Sequence, residues 1–295
     1  MATKAQQATK TVFVHVGFPK TGTSTFQAML RHNAGRLAAS GLAVVTDSPE
    51  LVDFSKQAGR IGNPRRNALA TRLHLRRSAR SLADSVARLR EPRVLISHEN
   101  LPGWRVKNLY NTPFHKGPVK AISAVESAFG ECRLTWMLMT REAAAHQRSA
   151  YKFFSRRKGT AERFEDWVAA MGPAENLDRM VEDARAYWGE RLMVFRMEDE
   201  IASGDRWGHG MLRAIGVPQD VLDTLEDVPD EKVGLPPSLL PFAHRINALG
   251  LEKPLRQALV EMLPEVRDAV LEEHHRASSK DTNPPASPHA ERRPQ

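Results

Sequence analysis

The chain has 295 residues, 41% of them hydrophobic, enough for a sizeable core arranged as one large α/β domain or two small ones. The opening MATKAQQATKTVFVHV holds only a short apolar run, so neither a signal peptide nor a spanning helix of about 20 apolar residues is expected, and the protein reads as soluble and cytoplasmic. Its 43 lysines and arginines against 35 acids give a formal charge of +8, and its single cysteine, Cys132, cannot form an internal disulfide. No Cys/His spacing resembles a zinc site, so no metal is expected.

The first predicted strand is Thr11 to Val16, a β-branched and apolar run that leads into a Gly-rich loop and then a helical pattern from about Thr23 to Leu37. Further apolar runs, Leu42 to Val45, Arg93 to Ser97, Leu134 to Met139 and Arg191 to Phe195, alternate with helical or loop sequence. Such alternation implies an α/β fold with a mainly parallel sheet flanked by helices. Helices are expected at Glu142 to Phe154, Arg163 to Met171, Leu177 to Trp188, Trp207 to Ile215, Pro237 to Leu249 and Leu255 to Leu263. One domain over 11–275 is the expected organisation, with 1–10 and the Pro-rich, polar 278–295 as disordered tails.

Charge is concentrated rather than spread. Between Arg60 and Arg90 stand nine arginines (60, 65, 66, 72, 76, 77, 80, 88, 90) against one acid, Asp84, so this segment carries a net +8 and the rest is close to neutral. Leu75, Ala79, Leu82, Val86 and Leu89 recur at helical spacing, with Arg72, Arg76 and Arg80 as an adjacent stripe. A segment of this kind raises the local concentration of anionic partners: acidic glycans, nucleic acid or membrane lipid.

The loop Gly17-Phe18-Pro19-Lys20-Thr21-Gly22-Thr23-Ser24-Thr25 follows a strand and opens a helix. That position gathers backbone N–H groups and the positive end of the helix dipole at one point, an anion site. Gly17 and Gly22 let the backbone approach a phosphate, while Thr21, Thr23, Ser24 and Thr25 add hydroxyls. The two glycines have the spacing of a Walker A loop, yet Thr23 stands where its lysine belongs and the lysine, Lys20, lies inside the loop. The dinucleotide pattern GxGxxG is absent.

Here the sequence resembles the sulfotransferases that use 3'-phosphoadenosine 5'-phosphosulfate (PAPS), whose 5'-phosphosulfate loop reads roughly PKTGTT; Pro19-Lys20-Thr21-Gly22-Thr23-Ser24 matches with one conservative change. The resemblance implies the P-loop-like sulfotransferase architecture, transfer of a sulfuryl group from PAPS to a hydroxyl or amine, and no metal requirement. It also implies that Lys20 neutralises charge on the oxygen bridging phosphate and sulfate. Charge gathers there as the bond breaks, and a positioned cation stabilises it.

Thr135-Trp136-Met137-Leu138-Met139-Thr140-Arg141-Glu142 reads as a buried strand ending in arginine, followed by a helix with Ser149 and Tyr151. It resembles the family's 3'-phosphate motif, with Arg141 as a charged fork and Ser149 as a hydroxyl donor. The resemblance extends over most of 11–250, including Phe164-Glu165-Asp166-Trp167 and Trp188 to Phe195, whereas Asp230 to Pro236 has no residue-by-residue counterpart in the family's C-terminal donor-binding loop.

An attacking hydroxyl must lose its proton, so a base is required. Ser97-His98-Glu99-Asn100 follows a strand, at the end where open α/β sheets build their sites. Family members use a histidine or a glutamate; Glu99 is the first choice and His98 the second. His15, on the first strand, reads as a packed, hydrogen-bonded residue. Lys152, Arg156, Arg157 and Lys158, with the Arg72, Arg76 and Arg80 stripe, would suit an acidic glycan as acceptor. Two other readings stand beside this one: a divergent P-loop kinase, against which Thr23 speaks, and a non-catalytic protein binding nucleic acid or lipid through its arginines. Nucleic acid is not the expected partner, because no aromatic residues interleave the arginines of 60–90.

Overall fold

The computed structural model describes residues 9–61, 68–104, 109–111, 114–115, 118–228, 234–267 and 269. Two compact units emerge, one made of 1–150 with 164–233 and the other of 151–163 with 234–295. Arg65, Arg66, the segment 229–233 and the tail 278–295 lie outside the described residues.

Among the described residues, five strands form one sheet in the first unit: β1 (Thr11–Gly17), β2 (Leu42–Val45), β3 (Arg93–Ser97), β4 (Arg133–Thr140) and β5 (Leu192–Arg196). Their spatial order is β2-β3-β1-β4-β5 and every pairing is parallel. Strand β1 is central, and the fully buried Val12, Val14 and Val16 with Phe13 show why it reads as one apolar run: helices leave neither face of such a sheet in water. The α/β class expected from alternating elements is the fold observed.

The helices of this unit are α1 (Thr23–His32), α2 (Ala34–Ala39), α3 (Pro49–Ala58), α4 (Ala68–Ala87), α5 (Pro118–Ala128), α6 (Ala143–Phe153, of which the residues to Ala150 belong here), α7 (Phe164–Met171), α8 (Glu175–Trp188), α9 (Met197–Ala202), α10 (His209–Ala214) and α11 (Gln219–Asp223). Phe26, Met29 and Leu30 of α1 pack with Leu37, Leu95, Met137, Met139, Met211 and Leu212 into one hydrophobic cluster. Trp136 of β4 stacks on Trp188 at the end of α8, centroids 4.6 Å apart.

The single helix expected from Thr23 to Leu37 is broken at Asn33, which is fully buried. Its side-chain amide donates to Met29 O (3.0 Å) and Glu226 O (3.0 Å) and accepts from Glu226 N (2.8 Å). A buried amide that satisfies backbone groups so far along the chain outweighs one continued helical turn. Helix α3 starts at Ser48, whose hydroxyl accepts from Leu51 N (3.2 Å), with Pro49 in the first turn.

In the second unit a π-helical stretch, Phe154–Lys158, precedes a turn, and α12 (Leu240–Ala248) and α13 (Lys253–Met262) enclose a small core of Leu235, Leu239, Ala243, Val260 and Leu263. His244 Nε2 bridges the hydroxyls of Tyr151 and Ser155 at 3.1 Å each, and Asn247 Nδ2 donates to the carbonyls of Ser155 and Thr160 at 2.8 Å each. The tyrosine that resembles a family position is thus tied into its own unit.

Candidate active site

Register brings the sequence-predicted segments to one edge. His15 of β1 pairs with Ser97 of β3, and Gly17 pairs with Met139 of β4, so the Gly-rich loop, the 98–100 segment and Arg141 all leave the carboxyl ends of three adjacent strands. His98 N donates to His15 O (3.1 Å) and Phe18 N to Met139 O (3.2 Å), which ties the start of the 98–100 segment to β1 and the start of the Gly-rich loop to β4. Parallel sheets place ligands at this end, where outgoing connections diverge.

The loop is built around two left-handed residues. Lys20 has φ 78°, the one positive-φ residue other than glycine among the described residues, and Gly22 has φ 80°. For a lysine this conformation costs about 1–2 kcal/mol, strain of the kind that active-site backbones carry. Gly22 precedes α1 and, as a glycine, supplies no side-chain cap to it. A Cβ at Gly22 would lie 2.3 Å from Trp207 Cζ2, and one at Gly17 would lie 2.4 Å from Thr23 Oγ1, so both positions exclude a larger residue.

Buried groups hold the loop from beneath. Thr21 Oγ1 donates to Phe18 O (2.7 Å), so its hydroxyl hydrogen is used inside the loop; Thr23 Oγ1 lies 3.4 Å from it. Ser24 and Thr25 are half-buried at the start of α1. Phe18 packs on Trp104 at 4.7 Å between centroids.

Sequence reading missed His146, which sits on α6 and is fully buried. Its Nε2 is 2.6 Å from Pro19 O, and its Nδ1 is 2.6 Å from the Tyr110 hydroxyl. A carbonyl only accepts, so Nε2 carries the proton and donates, and Nδ1 accepts from the tyrosine. Burial drives the His146 pKa down to about 4; the bond to Pro19 opposes this, and the positive charges of Arg141 and Lys20 add to it. One imidazole therefore feels both cations assigned to anion binding. A lone histidine in AAAHQRSA carries no pattern that would have singled it out.

Arg141 follows β4 directly, with its side chain 26% exposed and its Nε 3.9 Å from Glu198 Oε1. That Nε is buried and makes no hydrogen bond. Glu198 Oε1 also accepts from Glu142 N (3.0 Å), so the acid anchors the strand-to-helix turn as well as the arginine. Ser149, two turns along α6, is half-buried.

His98 and Glu99 are both half-buried, but their lone pairs differ. Asn100 N donates to His98 Nδ1 (3.2 Å). Burial lowers the His98 pKa, so the ring is neutral near pH 7 with its proton on Nε2 and no nitrogen open to receive another. Glu99 Oε1 accepts from Asn100 Nδ2 at 3.4 Å. A carboxylate keeps acceptor capacity after one such bond. His15 is a packed strand residue as expected, its Nδ1 2.7 Å from Ser97 Oγ and its pKa lowered to about 3 by burial.

Trp207 was also missed as a site residue. Its indole covers Gly22, and with Thr25, Met29, Arg206, His209 and Glu226 it lines a small recess beside the loop. The buried Glu200 carboxylate accepts from the backbone of Gly208 and Gly210, bracing the turn that carries the indole; burial raises its pKa against those bonds.

The basic residues read as a joint acceptor cleft belong to different units. Arg72, Arg76 and Arg80 are exposed on α4, while Lys152, Arg156, Arg157 and Lys158 lie in 151–163, where Arg157 pairs with Glu261.

No protein-family model and no curated protein sequence matches this chain. Among solved structures, retinol dehydratase in complex with androsterone and inactive cofactor PAP is similar at 15% identity over 80% of this chain, with a TM-score of 0.32. Retinol dehydratase in a complex with retinol and PAP is similar at 14% identity over 85% of this chain, with a TM-score of 0.29. The chain spans 64% of the length of each. At these TM-scores the likeness carries no argument about the chain's activity.

Proposed function

We propose that the protein is a sulfotransferase that takes its sulfuryl group from PAPS and passes it to a hydroxyl or amine. One observation supports this reading: Lys20 is held in the left-handed conformation next to the Pro19 carbonyl that His146 bonds, and Arg141 leaves the end of the adjacent strand β4. A helix start behind a glycine, a lysine within the loop and an arginine at the adjacent strand end suit a nucleotide with anionic groups at both its 5' and 3' positions. A Walker kinase would need a lysine at position 23, and Thr23 is there.

In this reading the loop amides and Lys20 hold the 5'-phosphosulfate, and Arg141 with Ser149 holds the 3'-phosphate. Glu99 takes the acceptor proton while the acceptor oxygen or nitrogen bonds to sulfur. The bond from sulfur to the bridging oxygen breaks, and Lys20 neutralises the charge left on the departing phosphate. His146 and Tyr110 act on the chemistry through the loop, by fixing the Pro19 carbonyl and so the residue after it. Trp207 offers an aromatic wall beside Thr25 for the base.

Incubating the protein with PAPS and a panel of alcohols and amines, and following PAP release by chromatography, tests the reaction class. PAP release that depends on an acceptor supports it; phosphoryl transfer from ATP·Mg²⁺ in its place contradicts it. Within that assay Glu99→Gln is expected to lower kcat about 10²–10⁴-fold, with His98→Gln retaining most of the rate. The opposite ranking would move the base to His98.

A further inference from the structure

Helix α4 turns Leu75, Ser78, Ala79, Leu82 and Val86 inward and a different set outward. Leu69 is 68% exposed and Leu73 55% exposed, one turn apart. Around them stand Arg72, Arg76, Arg77 and Arg80, all exposed, and no acid occurs in the helix before Asp84. None of these four arginines makes an ion pair or hydrogen bond among the described residues. Leu69 to Arg80 spans about 17 Å of helix, with the leucines and three arginines (72, 76, 80) recurring at three- and four-residue spacing.

We infer that this outward face docks on an anionic lipid bilayer surface. Four unpaired guanidinium groups alone would suit any polyanion. The leucines decide between polyanions: a glycan or nucleic-acid backbone would leave both in water, while a headgroup layer takes apolar side chains to the acyl boundary and offers phosphates to arginine forks at the same depth. Among the described residues no helix is long and apolar enough to cross a membrane, so α4 lies on the surface rather than through it. This docking does not depend on the donor assigned to the loop.

The full chain is sedimented with phosphatidylcholine vesicles and with vesicles containing about 30% phosphatidylserine. Binding to the anionic vesicles alone, weakened by salt, is expected. Arg76→Gln with Arg80→Gln should weaken it about 25-fold, near fivefold for each arginine. Leu69→Ser with Leu73→Ser should weaken it at least about tenfold. Circular dichroism melting of each exposed-site variant shows whether the fold is intact. Absence of binding to phosphatidylserine vesicles overturns the inference. So does a leucine double variant that binds like the parent, or full displacement by heparin or duplex DNA that does not distinguish parent from leucine variant; both would mark a general polyanion face.

Discussion

Lys20→Ala is expected to lower sulfuryl transfer by about 10²–10³ in kcat, the scale for losing one positioned charge at a developing anion. PAP affinity should fall far less, because PAP lacks the sulfate and, in the proposed site, its phosphates would keep the loop amides, Arg141 and Ser149. The ratio of the two losses separates a leaving-group role from simple ligand binding. The substitution also leaves an alanine at φ 78°, which an L-residue tolerates poorly. Lys20→Gly relieves that strain without returning the charge. Rates equally low in both variants, with melting temperature recovered in glycine, assign the loss to the ammonium group; recovery of rate in Lys20→Gly would assign it to the backbone.

Acidification is expected to destabilise the fold steeply before most carboxylates titrate. His15 and His146 are buried and neutral, with pKa values lowered from 6.5 to about 3 and about 4. In the unfolded chain both take protons near pH 6.5, so around pH 5 the unfolded state binds almost two more protons than the folded one. Stability from these residues is therefore complete above pH 6.5 and falls as pH drops below it, by up to about 2.7 kcal/mol per pH unit. Burial also lowers His98, His209 and His244, which act in the same direction. Urea unfolding at a series of pH values measures the slope. His146→Gln, which keeps a side-chain N–H for Pro19 O, should remove about 1.4 kcal/mol per unit of it. Constant stability from pH 6.5 to 5 would show that these rings are not held neutral.

Much of the fold was legible because a parallel sheet buries both faces. Thr11 to Val16, Leu42 to Val45 and Arg93 to Ser97 are short runs of β-branched and apolar residues, and the strands lie there, β1 running one residue further to Gly17. The amphipathic period of Leu75, Ala79, Leu82 and Val86 likewise gave the packed side of α4. What escaped depends on contacts distant in sequence. The break at Asn33 requires Glu226, 193 residues away, and no local propensity reports it. Pro49–Ala58, Pro118–Ala128, Met197–Ala202 and Gln219–Asp223 escaped notice as helices.

The site divides in the same way. Lys20 and Gly22 declare themselves through spacing, since a loop between strand and helix has few ways to gather amides. His146, Tyr110 and Trp207 declare nothing, because they meet that loop only in the fold: His146 from α6 and Trp207 from the turn before α10 directly, Tyr110 through the His146 ring. His98 and Glu99 were adjacent candidates in the sequence, and the hydrogen bond from Asn100 N to His98 Nδ1 supplies the asymmetry between them.

Titration calorimetry of the intact protein with PAP, and separately with ATP·Mg²⁺, bears most directly on the nucleotide assigned to the loop. Saturable PAP binding that Arg141→Ala weakens, with little heat from ATP·Mg²⁺, is the predicted result. A protein that ignores PAP, or that prefers the metal-bound triphosphate, would contradict it.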